Sequence, residues 1–144
     1  PTLLAMTDSP IPSEMQGLDL SGQILHQNGM KHDSIFLVDM LTCDQAKQWN
    51  GRPWRGVRTH RYTYARFQDA GWVLYDNQKD PFQINNLYDN PQHAGLQKRM
   101  EDELQNWLAQ FGDEFLPEEE VLKKMNLAEA WKKRNEHFQS GKNW

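Results

Sequence analysis

The side chains best suited to binding chemistry in this sequence are arginines, and most of them lie in one short segment. Five of the seven arginines fall within residues 52–67, in the stretch RPWRGVRTHRYTYARF. A planar guanidinium group pairs bidentately with sulfate, phosphate or carboxylate. Aromatic residues interleave with these arginines, and an aromatic ring can stack on a sugar or an aryl group. The segment therefore indicates either a site that binds an anion or a solvated strand that resists aggregation.

Three residues at the start of this segment are the candidate ligand contacts. Arg52 and Arg55 flank Trp54 at the end of an expected loop, where their guanidinium groups and the indole can reach a ligand. We therefore predict Arg52, Trp54 and Arg55 as substrate-binding residues. The other arginines of the segment are interpreted as outward-facing strand residues that block pairing at a sheet edge: Arg58, Arg61 and Arg66.

Other reactive side chains occur without the partners that catalysis or metal binding requires. Cys43 is the only cysteine, so it cannot form an intrachain disulfide, and its setting MLTCDQAK resembles no arrangement of a base and an oxyanion hole around a nucleophile. The five histidines show no metal-ligand spacing. The stretch DNQKDP resembles the start of a calcium loop, but Gln78 and Pro81 occupy positions where that loop needs other residues. We therefore predict no catalytic residue, no metal ligand and no cofactor in this chain.

Composition limits the classes of partner. A net charge of -4 and a pI near 5.7 argue against a general nucleic-acid binder, which carries a basic excess. No apolar run approaches the roughly 18 residues of a membrane-spanning helix. The chain opens with PTLLAM, an apolar helical turn without an initiator methionine, so we expect it to be the interior of a longer protein. This expectation leaves the cellular compartment open.

The hydrophobic pattern predicts a four-stranded antiparallel sheet. Residues 33–38 form a β-branched and aromatic run that is typical of a buried strand. The side-chain alternation changes phase near His60 and Arg61, which predicts a tight hairpin with strands at 55–59 and 62–67. The stretch WVLYD supplies the fourth strand, and connections this short favour antiparallel pairing.

Helices are predicted on either side of this sheet region. The clearest runs from a cap at Asn90 and a first position at Pro91 to a terminator at Gly112. Its apolar stripe should pack on the sheet: Leu96, Met100, Leu104, Trp107, Leu108 and Phe111. A short N-terminal helix at PTLLAM, an irregular connector, a loop at residues 41–53 and one helix beyond Pro117 complete an α+β fold.

Three ordered motifs resemble the C-terminal region of the formylglycine-dependent (type I) sulfatases of the alkaline phosphatase superfamily. They are PTLLAM…PIPSEMQGLDLSG, then WRGVRTHRYTYARF, then WVLYDNQKDPFQINNLYDNPQH, and the resemblance covers residues 1 to about 112. The resemblance implies that residues 1–20 end the larger N-terminal domain. Residues 21–116 would then form a sheet-and-helix subdomain, and residues 117–144 a helical tail.

The resemblance also implies a function for a parent protein. A sulfatase hydrolyses sulfate esters of carbohydrates or aryl compounds, using calcium and formylglycine in its N-terminal catalytic domain. The motif Cys/Ser-x-Pro/Ala-x-Arg that yields formylglycine does not match CDQAK at Cys43, so this chain alone is expected to be inactive. On this analogy Arg52, Trp54 and Arg55 line the rim of the substrate cleft. The alternatives are a phosphonate or phosphodiester hydrolase of the same superfamily and a non-catalytic module that binds anionic glycans.

Overall fold

The structure is a computed structural model that describes residues 1–15, 17–26, 33–41 and 51–139. It divides into two compact units, Pro1–Asp33 and Ser34–Trp144. Cys43 and most of the predicted loop at residues 41–53 lie outside the described residues. The division predicted at residues 20 and 116 stays a prediction. No helix in the described ranges has the length and apolar character needed to span a bilayer.

The first unit contains two short helices. Helix α1, Thr2–Met6, is the one predicted at PTLLAM, whereas α2, Ser21–His26, falls at the end of the stretch predicted to be irregular. Asp19 starts α2 by accepting a hydrogen bond from the backbone N–H of Ser21 at 2.8 Å. The hydroxyl of Thr2 accepts from the N–H of Leu20 at 3.0 Å and so links α1 to the residues before α2.

The second unit is built on the predicted antiparallel sheet. Its strands follow one another in space in the order β1-β2-β3-β4: β1 Ser34–Asp39, β2 Trp54–Thr59, β3 Tyr62–Phe67 and β4 Gly71–Asp76. The hairpin turn lies at His60–Arg61, which confirms the prediction from the phase change. The hydroxyl of Thr59 fixes this turn because it accepts from the N–H groups of Arg61 and Tyr62 at 3.2 and 2.8 Å.

The strand order corrects two predictions, one about the burial of β1 and one about which strands form the edges of the sheet. β1 was predicted to be a buried strand, but it is an edge strand in which Ile35 is 53% exposed. The hairpin that carries the arginines occupies the two central strands, so the interpretation of Arg58 and Arg66 as guards of a sheet edge is wrong. Both errors have one cause, since the sequence predicts strands but not which of them lie outermost.

The free edge of β4 is covered by a short segment of chain. The side-chain oxygen of Asn86 accepts from the N–H of Leu74 at 3.0 Å, and its amide nitrogen donates to the carbonyl of Trp72 at 2.9 Å. The N–H of Leu87 adds a bond to the carbonyl of Leu74 at 2.8 Å. Asn86 thus replaces a fifth strand and satisfies backbone groups that would otherwise be open to edge pairing.

One long helix covers the sheet, as predicted. A 3-10 turn at Pro91–His93 leads into α3, Ala94–Phe111, and Gly112 ends the helix with φ of 60°. Asn90 accepts from the N–H of Gln92 at 3.0 Å and caps the turn. The predicted stripe packs on β2 and β3 and shares the core with Leu74 of β4. Trp107 and Phe111 also stack with Phe36 of β1, although Phe111 is 42% exposed. The buried core comprises Val57, Tyr64, Leu74, Met100, Leu104, Leu108 and Phe115.

The C-terminal region contains two helices where one was predicted. Helix α4 spans Glu118–Lys124 and α5 spans Ala128–Gln139. Asn126, between them, has φ of 56°, a left-handed conformation that interrupts a helix and that asparagine tolerates better than most residues. Trp131 of α5 donates to the carboxylate of Glu118 in α4 at 3.0 Å, so the two helices pack together.

Candidate functional site

Arg52 lies at the surface beside the entrance to β2. Its Nη1 donates to the carboxylate of Asp69 at 2.9 and 3.2 Å, and its guanidinium carbon lies 4.1 Å from the centre of the Phe67 ring. The side chains of Arg52 and Asp69 are 46% and 72% exposed. Arg52 is therefore a cation held in place by a ring below it and still open to water.

Trp54 belongs to an aromatic cluster that we define by Trp54, Phe67 and Trp72. Phe67 stacks on Trp72 with ring centres 5.1 Å apart, and Trp54 meets Trp72 edge-on at 5.6 Å. Trp72 is 42% exposed. Phe67 and Trp72 were not predicted as site residues, although Phe67 is the direct partner of Trp54 in the hairpin register. Counting outward from the turn at His60–Arg61 would have paired these two residues.

A cleft of about 250 Å³ opens next to Arg52. Its walls come from the start of β2, the turn after β3 and the chain between α3 and α4. The side chains that line it include Arg52, Phe67, Asp69, Phe115 and Glu118. Arg52 is the cation among its lining residues, so this cleft combines a basic group with aromatic surface, as sites for anionic carbohydrate do.

Arg55 lies on the opposite face of β2 from Trp54 and is completely buried. Its Nε donates to Asp113 at 2.5 Å, and its Nη1 donates to the carbonyls of Asp39 and Trp54 at 2.9 and 3.1 Å. The ring of Phe115 lies 4.6 Å from its guanidinium carbon. These contacts favour a role in fixing the chain around Trp54, and a contact between Arg55 and substrate stays a prediction.

The partner of Arg55 is held ionised by its hydrogen bonds. Burial raises the pKa of Asp113, but hydrogen bonds from Arg55 and from the N–H of Phe115 outweigh burial, so the pKa of Asp113 lies below its ordinary value. Phe115 itself has φ of 51°, a strained conformation for a bulky residue. Because Asp113 accepts both from Arg55 in β2 and from the N–H of Phe115, the Arg55–Asp113 ion pair fixes the turn after α3.

A second and larger cleft, of about 520 Å³, lies between β3, the turn before α3 and α3 itself. Its cation Arg66 donates to Glu101 at 3.0 and 3.1 Å, and Tyr64 donates to the same carboxylate at 2.8 Å. Lys98 pairs with Asp102 at 2.8 Å. The side chains of Arg66 and Glu101 are only 19% and 30% exposed, against 46% and 72% for Arg52 and Asp69, so Arg66 is less open to an anionic ligand than Arg52.

Arg61 pairs with Asp76 across the end of the sheet, which makes it a structural residue. Its Nη2 donates to Asp76 at 2.7 Å and its Nε donates at 3.0 and 3.1 Å. The hydrogen bonds from Arg61 lower the pKa of Asp76 to about 2 despite its burial. Asp76 is also the first residue of the calcium-like stretch DNQKDP, and here it binds Arg61 and the turn N–H groups of Gln78 and Lys79.

This ion pair predicts a loss of stability in acid. The folded pKa of Asp76 lies below its ordinary value of 3.8, so its stabilisation is present above about pH 4 and disappears as the pH falls through about 2. Asp76→Asn should lower the free energy of unfolding by about 1–2 kcal/mol at neutral pH, and this deficit should shrink as the pH falls through about 2, where half of the Asp76 carboxyl groups are protonated. Thermal unfolding at several pH values measures this difference. A deficit that does not change with pH would contradict the prediction.

Across residues 1–15, 17–26, 33–41 and 51–139, no three or more histidine, cysteine, aspartate or glutamate side chains are grouped so as to hold a metal ion. The described residues therefore do not fit calcium.

The second unit is an α+β subdomain with a four-stranded antiparallel sheet and a covering helix. The sequence matches the family described as N-sulphoglucosamine sulphohydrolase, C-terminal, over residues 1–110, and the chain belongs to this family. It is 36% identical over 126 residues to an ulvan-active sulfatase of Formosa agariphila. That match covers 88% of this chain and 24% of the relative, so the chain spans about a quarter of the length of that protein.

Solved structures show the same fold. BT4656, a protein solved in complex with its substrate D-glucosamine-2-N,6-O-disulfate, superposes with a TM-score of 0.67 at 21% identity. BT1596, a 2-O GAG sulfatase, superposes with a TM-score of 0.66 at 23% identity. Each alignment covers 79% of this chain and 24% of the other. The predictions of an α+β fold and of a sulfatase C-terminal region are thereby confirmed.

Proposed function

We propose that this chain is the C-terminal subdomain of a longer sulfatase that hydrolyses sulfate esters of a carbohydrate. In this proposal the chain forms part of the substrate-cleft rim and contributes no catalytic residue. The observation that carries the proposal is the exposed Arg52 beside the aromatic cluster in a chain of the sulfatase C-terminal family. The sulfatase relatives favour sulfate esters over the phosphonate and phosphodiester alternatives.

The chemistry divides between this chain and its proposed partner, the N-terminal catalytic domain. Cleavage of a sulfate ester needs a nucleophile and stabilisation of charge on the sulfate oxygens. In the parent, formylglycine and calcium of the catalytic domain would supply both. Arg52 would bind an anionic group of the glycan, and Trp54 would offer ring surface to a sugar. Arg55 would hold the backbone of Trp54 through its carbonyl.

The proposal predicts that the longer protein has sulfatase activity and that the 144-residue chain alone has none. The protein encoded by the whole gene should release sulfate from p-nitrophenyl sulfate and from a sulfated polysaccharide, and the 144-residue chain should release none from either. Ion chromatography of free sulfate measures both. Sulfate release by the 144-residue chain alone would contradict the proposal, and so would a whole-gene product that leaves both compounds intact.

The rim assignment has its own test in the longer protein. Replacing Arg52 and Trp54 together by alanine should raise KM for the sulfated polysaccharide by about tenfold, the equivalent of roughly 1.4 kcal/mol of binding. The value of kcat for p-nitrophenyl sulfate should change little, because the small compound does not reach the rim. Arg58→Ala is the matched control, since Arg58 is an exposed arginine of β2 that does not line the Arg52 cleft. An unchanged KM would show that Arg52 and Trp54 do not contact the polysaccharide at the rim of the substrate cleft.

A further inference from the structure

We propose that Asp69 is a specificity-determining residue of the Arg52 site, because its carboxylate opposes the binding of a sulfate group to Arg52. This inference rests on the proposed function and deepens it, since it names the residue that sets the strength of anion binding. The ligand is a sulfate group on a glycan, whose single negative charge matches that of the carboxylate.

The geometry places Asp69 in direct competition with an anionic ligand. Both carboxylate oxygens of Asp69 lie within hydrogen-bond distance of Nη1 of Arg52, at 2.9 and 3.2 Å. A sulfate oxygen that approaches Arg52 meets this negative charge next to the guanidinium group. Coulomb repulsion between the two anions therefore lowers the affinity, and removal of the carboxylate charge should raise it.

The Arg52–Asp69 pair is weak enough for a ligand to replace. Both side chains are largely solvated, and exposed ion pairs of this kind contribute little to stability. Arg52 has a second support that does not depend on Asp69, because its guanidinium group lies over the ring of Phe67 at 4.1 Å. Phe67 in turn stacks on Trp72. Arg52 can thus exchange its anionic partner and keep its position.

The neighbouring carboxylate in the cleft has a different role. Glu118 also lines the cleft, but one of its oxygens accepts from the indole N–H of Trp131 at 3.0 Å, which ties it to α5. Among the described residues that line this cleft, Asp69 is the carboxylate bonded to Arg52. The competition with a sulfate group is therefore assigned to Asp69.

The test measures affinity of the 144-residue chain for a heparin oligosaccharide by calorimetry, with elution from immobilised heparin as a second readout. Asp69→Asn keeps the size of the side chain and removes its charge, and we expect the Kd to fall about fivefold, as two exposed unit charges a few ångströms apart predict. Arg52→Gln should weaken binding. The double variant Asp69→Asn/Arg52→Gln should bind no better than Arg52→Gln.

Asp102→Asn is the matched control. Asp102 is an exposed aspartate that pairs with Lys98 at 2.8 Å, so its replacement removes the same charge from a similar pair on α3. We expect its Kd to change less than twofold. Chemically desulfated heparin retains its carboxylates, and the gain from Asp69→Asn should be lost with this probe if the site recognises sulfate.

The results that would overturn the role of Asp69 differ from those that would overturn the proposed sulfatase function. Equal gains from Asp69→Asn and Asp102→Asn would show an effect of net charge alone and would overturn the inference. A gain that survives in the double variant, or on desulfated heparin, would overturn it as well, and so would the absence of heparin binding in every form. None of these results bears on sulfate release by the longer protein, which tests the proposed function.

Discussion

Replacement of Arg55 by alanine is expected to lower the free energy of unfolding by about 3–5 kcal/mol, the usual effect of removing one partner of a buried ion pair. Arg55 is fully buried, and its guanidinium group bonds Asp113 as well as the carbonyls of Asp39 and Trp54. The substitution would leave the charge of Asp113 without its partner. It would also open a cavity beside the ring of Phe115.

Urea denaturation of this chain, followed by fluorescence and circular dichroism, measures the effect. Arg58→Ala is the control, because Arg58 lies on the same strand and is exposed, and its loss should change stability by no more than about 0.5 kcal/mol. A double-mutant cycle with Asp113→Asn isolates the energy of the pair. Equal stability of the Arg55→Ala and Arg58→Ala variants would show that the buried ion pair does not hold the turn after α3.

Trp107→Ala is the second substitution with a large expected effect, also about 3–5 kcal/mol. Trp107 forms a three-ring cluster with Phe36 of β1 and Phe111 of α3, with ring centres 6.3 and 5.6 Å away, and Phe36 and Phe111 stack on each other at 5.6 Å. Its indole N–H donates to the hydroxyl of Ser34 at 2.8 Å, and this hydroxyl donates in turn to Glu103. Trp107 thus joins the helix to the edge strand β1 by apolar and polar contacts.

The conservative variant Trp107→Phe separates these two contributions. It retains an aromatic ring beside Phe36 and Phe111 and loses the hydrogen bond to Ser34, so we expect a cost of about 0.5–1.5 kcal/mol. Denaturant unfolding of both variants and the wild type gives the comparison. A cost below about 1 kcal/mol for Trp107→Ala would mean that the predicted stripe of α3 does not stabilise the sheet through this residue.

The elements of the sheet-and-helix unit were predictable because their signals are local. A strand shows side-chain alternation within a few residues, and the phase change at His60–Arg61 located the hairpin turn. The cap at Asn90 and the terminator at Gly112 located α3. The break between α4 and α5 was missed because it depends on the backbone conformation of Asn126, and nothing in the apolar spacing marks it.

The candidate site was predictable only in part. Arg52 and Trp54 were identified from their residue types and their place before the hairpin, and the structure puts both at one end of the sheet. The structure shows three further residues at this site: Phe67 and Trp72, which stack on each other, and Asp69, which pairs with Arg52. Arg55 was grouped with the first two by adjacency, yet a strand sends neighbouring side chains to opposite faces.

By itself, the sequence determined the helix and strand segments, the antiparallel hairpin and the resemblance to sulfatases, since each depends on residues that are close along the chain. Only the tertiary structure decided which carboxylates pair with Arg55 and Arg66. Asp113 lies 58 positions from Arg55 and Glu101 lies 35 positions from Arg66. These partners are far apart in the sequence and come within hydrogen-bond distance only when α3 packs on the sheet. The spacing of residues along the chain does not predict that packing.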